Sequence, residues 1–167
     1  MMVQKNYAGG LLLLGLLLAP LSARAWYIRL DALAPAARLY DQGNALGQVI
    51  DAKRGVDSHD LAEFKPFGKP YLTLVFTHSN WASKSGDYAT DFHAPSNKAD
   101  AWSFVVRTDA PNREIILQWR SDDADRLRRS RLLDTVTGKT IAVKAGKSYR
   151  FTMNAQTSRT FVWKVYP

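Results

Sequence analysis

The sequence predicts an all-β protein built as an antiparallel sandwich. Two observations carry this. Apolar residues recur at every second position through five separate runs, and turn-forming residues punctuate the stretches between them. A side chain at every second position faces the same side of a strand, so each run has one face for a core and one for water.

The runs follow in order. Leu72, Leu74 and Phe76 share a face within Tyr71 to His78. Trp102, Phe104 and Val106 repeat the pattern, then Ile115, Leu117 and Trp119. Asp109 to Asn112 links those two runs tightly. Leu132-Leu133 marks a further strand, followed by turns at Thr137-Gly138-Lys139 and Ala145-Gly146-Lys147. Tyr149, Phe151 and Met153 form the next face, and Phe161, Trp163 and Val165 the last. Runs of this length and spacing suit a sandwich. They are too short for a transmembrane barrel, whose strands need about 9–11 residues. The final Val165-Tyr166-Pro167 also lacks the terminal Phe of that class.

Residues 26–70 read as a less regular N-terminal extension. Tyr27 to Leu30 alternates as a first strand. Asp31 to Gly47 is Ala-rich without a firm period, Val49-Ile50 suits a short strand, and Asp51 to Pro70 reads as loop. The expected sandwich domain is 71–167, with 26–167 as one globular unit.

Residues 1–25 read as a cleaved signal peptide. Lys5 supplies the positive start, and seven leucines between Leu11 and Leu18 supply the apolar segment. Pro20 breaks the helix, and Ala23-Arg24-Ala25 supplies the small residues a signal peptidase requires, placing cleavage before Trp26. The apolar run falls short of the ~20 residues a membrane-spanning helix needs. The expected location is therefore periplasmic, extracellular or cell-surface, with export of the Gram-negative type. After cleavage the chain does not span the membrane.

Composition narrows the chemistry. With no cysteine among 167 residues, disulfides, thiolate metal sites, thiol catalysis and a lipid anchor on an N-terminal Cys are all excluded. The formal net charge is +8, of which Lys5 and Arg24 belong to the leader, leaving +6. That excess favours an anionic envelope surface or an acidic exported protein. Nucleic acid is not expected outside the cell, and no module for it is present.

The segment Ala145 to Thr152, with Tyr149 at its centre, resembles the penultimate strand of fibronectin type III and related immunoglobulin-like domains. The wider pattern of Trp81, Gly86, Tyr88, Asp91, Trp102, Phe104, Leu117, Trp119, Gly138, Tyr149 and Phe161 is similar to β-sandwich modules of bacterial exported proteins, flagellar hook-cap proteins among them. The resemblance covers about residues 71–167. It implies an immunoglobulin-like or fibronectin-like sandwich in which the Tyr149 hydroxyl bonds back to the chain as a tyrosine corner.

The candidate binding residues are Trp81, in a Ser-rich loop, and the cations Arg120, Arg126, Arg128, Arg129 and Arg131. Guanidinium forks suit carboxylates and phosphates, and a loop Trp either anchors a partner or lids the end of the sandwich. Against this, Asp122, Asp123 and Asp125 lie close enough to neutralise part of the Arg run, which also reads as a solvated connection. His59, His78 and His93, with Asp87 and Asp91, contain the residue types of a metal-dependent or acid–base hydrolase, but no ligand pair at helical spacing. The acids of Ser85 to Asp91 are too few for calcium. No cofactor or metal is expected. The leading expectation is a non-catalytic module that binds another exported protein or a surface polymer. The alternatives are a hydrolase using His78 and His93, or a carbohydrate-binding envelope protein.

Overall fold

In the computed structural model, residues 25–110, 112–154 and 157–167 are described. The segment expected to be a signal peptide, apart from Ala25, lies outside them. The elements are β1 (Trp26–Ala34), β2 (Leu39–Gln48), β3 (Leu72–His78), β4 (Gly86–Tyr88), β5 (Thr90–His93), β6 (Asp100–Thr108), β7 (Arg113–Arg120), α1 (Ala124–Arg128), β8 (Ser130–Asp134), β9 (Lys139–Ala142), β10 (Ser148–Met153) and β11 (Ser158–Val165). They form two sheets, ordered β10-β7-β1-β2-β5 and β4-β3-β6-β11-β8-β9. Neighbouring strands pair antiparallel except β2 with β5, which run parallel. The fold is an all-β sandwich. Its last two strands, β10 and β11, lie in different sheets.

The period-two faces meet between the sheets. Phe76, Trp102, Phe104, Phe161 and Trp163 come from the six-stranded sheet; Ile28, Leu30, Leu46, Ile115, Leu117 and Trp119 come from the other. All are buried. Aromatic edges lock the layers together: Trp119 meets Trp163 at 5.8 Å between ring centroids, and Trp26 meets Trp102 at 5.6 Å, both T-shaped.

The first half of the expected extension is integral sheet. β1 is the central strand of its layer, between β2 and β7. Asp31 to Gly47 shows no period because it is not half-buried. The bulge between Leu30 and Ala32 shifts the β1–β2 register, and the last five residues of β2 are buried on both faces. Val49-Ile50 is not a strand: it follows β2 into a turn at Ile50-Asp51. The short β4 and β5 arise from a segment that reads as loop.

Gly47 lies hard against β1. A Cβ there would fall 2.3 Å from the Trp26 carbonyl oxygen and 2.7 Å from Tyr27 Cα, both backbone atoms. Gly47→Ala is therefore expected to cost about 1–3 kcal/mol, the usual range for overpacking. A urea midpoint equal to that of the parent would contradict this contact.

Candidate functional site

Two regions gather chemically capable side chains. The first is a buried chain of polar groups at one end of the sandwich. The Trp26 indole N–H donates to Gln48 Oε1 at 3.1 Å, and Gln48 Nε2 donates to Asp100 Oδ2 at 3.1 Å. His93 Nδ1 lies 2.9 Å from the same oxygen. Arg54 donates to Asp100 Oδ1 at 3.0 Å. On its other side, His93 Nε2 lies 3.4 Å from Asp91 Oδ1, while His78 Nε2 lies 3.2 Å from Asp91 Oδ2. Neither of these last two contacts is a hydrogen bond: His78 Nε2 and Asp91 Oδ1 are buried without one.

The sequence places these groups through strand ends. His78 closes β3, Asp91 and His93 lie on β5, and Asp100 opens β6. Asp91 and His93 are two residues apart on one strand, so they share a face. The rings are held by stacking, His78 on Trp81 at 3.6 Å with 3° between planes, and His93 on Trp102 at 4.7 Å with 18°.

The two imidazoles take opposite oxygens of Asp91 rather than converging on a common point. Among the described residues, no group of three His, Asp or Glu could hold a metal ion. Burial alone would depress the His93 pKa, but Asp100 and Asp91 outweigh it and raise it to about 9. Burial would likewise raise Asp100, but the bonds from His93 and Gln48 bring it down to about 2. Both ring nitrogens of His93 thus face carboxylates, which favour the imidazolium and leave neither nitrogen open toward a substrate. His59 contributes through its backbone, its carbonyl accepting from Thr90 Oγ1 at 2.7 Å.

The second region is a groove of about 860 Å³ on the outer face of the six-stranded sheet, under the segment 63–69. Phe64, Phe67, Tyr71 and Val75 supply its apolar wall. Arg107 and Asp87 form a forked ion pair on its floor, with Thr77 Oγ1 accepting from Arg107 Nη2 at 2.9 Å and donating to Asp87 Oδ1 at 2.7 Å. Burial pushes the Asp87 carboxyl up, but Arg107 and Thr77 more than reverse it. His78 stands at one end, so the groove abuts the buried chain of groups.

None of the candidate binding residues read from the sequence lines the groove. Trp81 is half-buried, packed between His78 and Tyr88, with the Tyr88 ring at 4.9 Å. It is a lid on His78. Arg120 donates to the buried Asp31 at 2.8 Å. Arg126 lies over the Trp26 ring at 5.3 Å. Arg128 pairs with Asp125, and Arg131 donates to the carbonyls of Arg128 and Ser130. Arg129 is exposed. The run forms α1 because Asp123 caps it, accepting from the Arg126 N–H at 3.0 Å, and Leu127 plugs it into the core. The groove wall escapes sequence reading: Phe64 and Phe67 sit in a loop with no period to mark them.

Fold and site together define an all-β sandwich with an apolar-walled groove on one outer face. No family model, curated protein or solved structure shows significant similarity to the chain. Among the described residues, no helix is long and apolar enough to cross a membrane.

Proposed function

We propose that this protein is an exported, non-catalytic binding module of the cell envelope, and that its working surface is the loop 61–69 with the groove beneath it. The observation that carries the reading is the groove itself. At about 860 Å³, with aromatic walls and one fixed ion pair, it has the size and lining of a ligand site, which commonly falls within ~300–1,000 Å³. Three large apolar side chains on the same loop, Leu61, Phe64 and Phe67, stand exposed. Exposed apolar clusters of this kind mark interaction sites.

The non-catalytic part rests on the geometry of both rings: the two ring nitrogens of His93 face Asp91 and Asp100, and His78 turns Nε2 to Asp91 and lies stacked under Trp81. The Arg run is a weaker surface because four of its five candidates already have internal partners.

The test is fractionation of a Gram-negative host expressing the full chain, with the N-terminus of the recovered protein read by mass spectrometry. The parent is expected with the envelope. A variant carrying Leu61→Ser, Phe64→Ser and Phe67→Ser is expected in the soluble fraction with its fold intact. Arg126→Gln, Arg128→Gln, Arg129→Gln and Arg131→Gln together should leave the distribution unchanged. Release by the arginine variant and not by the serine variant would move the working surface to α1. A parent found free and monomeric would sink the envelope-binding reading.

A further inference from the structure

From Phe64 to Pro70 the chain reads Phe-Lys-Pro-Phe-Gly-Lys-Pro, with two lysines and no acid. Phe64 is 79% exposed and Phe67 101%. The segment is clamped at both ends. The Leu61 N–H donates to Thr90 Oγ1 at 2.7 Å, and the Glu63 N–H donates to the Asp87 carbonyl at 2.9 Å. Beyond the tip, the Tyr71 N–H donates to Asp109 Oδ1 at 2.7 Å. Two phenyl rings are thus held out in water by a loop whose base is fixed to β4, β5 and the turn after β6.

The shape of the tip selects its partner. Phe64 and Phe67 stand on the rim of the groove, and at 79% and 101% exposure nearly all of each ring projects into water beyond it. A folded partner would need a matching apolar pocket. The interface of a bilayer accepts an aromatic ring at the headgroup level without one, and an ammonium on a flexible stem reaches a lipid phosphate from there. The alternation of Phe with Lys supplies both, on a chain whose formal charge of +8 falls to +6 without residues 1–25.

We infer that the segment Phe64 to Lys69 docks this protein onto the surface of an anionic phospholipid bilayer, with Phe64 and Phe67 entering the interface and Lys65 and Lys69 against lipid phosphates. The inference rests on the reading of this loop as the working surface, and it names the partner. Two rings and two cations make a reversible contact, far weaker than a spanning helix.

The chain has no cysteine, so Phe67→Cys and Val136→Cys each accept one environment-sensitive thiol dye on the full chain. Val136 is 50% exposed in the turn between β8 and β9, at the opposite end of the six-stranded sheet. With vesicles of phosphatidylcholine and phosphatidylglycerol, the dye at 67 should shift to the blue and gain emission several-fold. The dye at 136 should not respond. Pure phosphatidylcholine or high salt should shrink the response. Adding Lys65→Gln and Lys69→Gln to the 67-labelled chain should weaken partitioning about 30-fold, from about 5-fold per ammonium near a charged surface.

A silent dye at 67, or equal responses at both positions, overturns lipid docking. If the dye is silent while the serine variant still leaves the envelope fraction, the loop binds a protein or polymer and only the lipid inference fails. If neither assay depends on the loop, both readings fail.

Discussion

Replacing Asp134 by Ala should destabilise the fold by about 3–5 kcal/mol, because it leaves a guanidinium buried without its counter-charge. Arg159 and Asp134 are 8% and 0% exposed at their side chains. Arg159 Nε donates to Asp134 Oδ1 at 3.0 Å, and Nη2 donates to Oδ2. The Tyr149 hydroxyl donates to Oδ2 at 2.8 Å. Burial alone would raise the Asp134 carboxyl; Arg159 and Tyr149 hold it below its ordinary value. The guanidinium also covers the Phe151 ring at 4.9 Å, which fixes its plane. Asp134 and Arg159 belong to β8 and β11, whereas Tyr149 and Phe151 belong to β10 in the opposite sheet. The pair therefore ties the two layers together. Arg159→Met should cost a similar amount. Asp134→Leu with Arg159→Met should recover much of the loss, because removing both charges removes the desolvation penalty as well. Urea unfolding of the four proteins checks this. A single Asp134→Ala loss near 1 kcal/mol, typical of an exposed pair, would contradict the burial.

That network also shows where sequence reading stops. Tyr149 is legible as a residue with a structural hydroxyl. Its partner is not, since the expected bond back to the chain is made instead to the side chain of Asp134. The half-buried strands are legible because one face meets the core and the other meets water, as in β6 with Trp102, Phe104 and Val106. β2 is hidden because its second half is buried on both sides, with Asn44 and Gln48 among its buried residues. A period-two signal needs a wet face, and β2 has none there. Asp91 and His93 read as loop residues because β5 is four residues long and pairs in parallel with β2, a partner distant in sequence. For the site, the three histidines and the nearby acids are visible as types. Whether two of them converge on an ion or flank a carboxylate depends on ring positions that spacing does not encode. The arginine run is the opposite case. It is conspicuous in sequence, yet Arg120, Arg126 and Arg128 already face Asp31, Trp26 and Asp125.

The stability of the protein should carry an alkaline limb set by His93. The group is raised from an ordinary 6.5 to about 9 in the folded state. A base held protonated by the fold stabilises it fully below the unfolded pKa and loses that contribution as pH rises through the folded value. The His93 contribution is thus complete below about 6.5, falls between there and about 9, and is gone above. Its size is on the order of 2–3 kcal/mol, taking ~1.4 kcal/mol per unit and discounting for partial solvent screening. Asp100 acts at the other end. Its folded pKa lies near 2, below the ordinary 3.8, so its contribution is present above 3.8 and lost as pH falls toward 2. Between these limits the hydrogen-bonded chain from Trp26 to His93 is at full strength. His93→Gln removes the cation and leaves Asp91 and Asp100 short of a partner. The stability gap between parent and variant should be largest near pH 6 and shrink by about 2–3 kcal/mol by pH 10. Every other group is common to both proteins, so the gap isolates the histidine. Denaturant unfolding at a series of pH values measures it. A gap that stays constant from pH 6 to 10 would mean that the fold does not raise the His93 pKa, and would leave His93 open to service as a catalytic base.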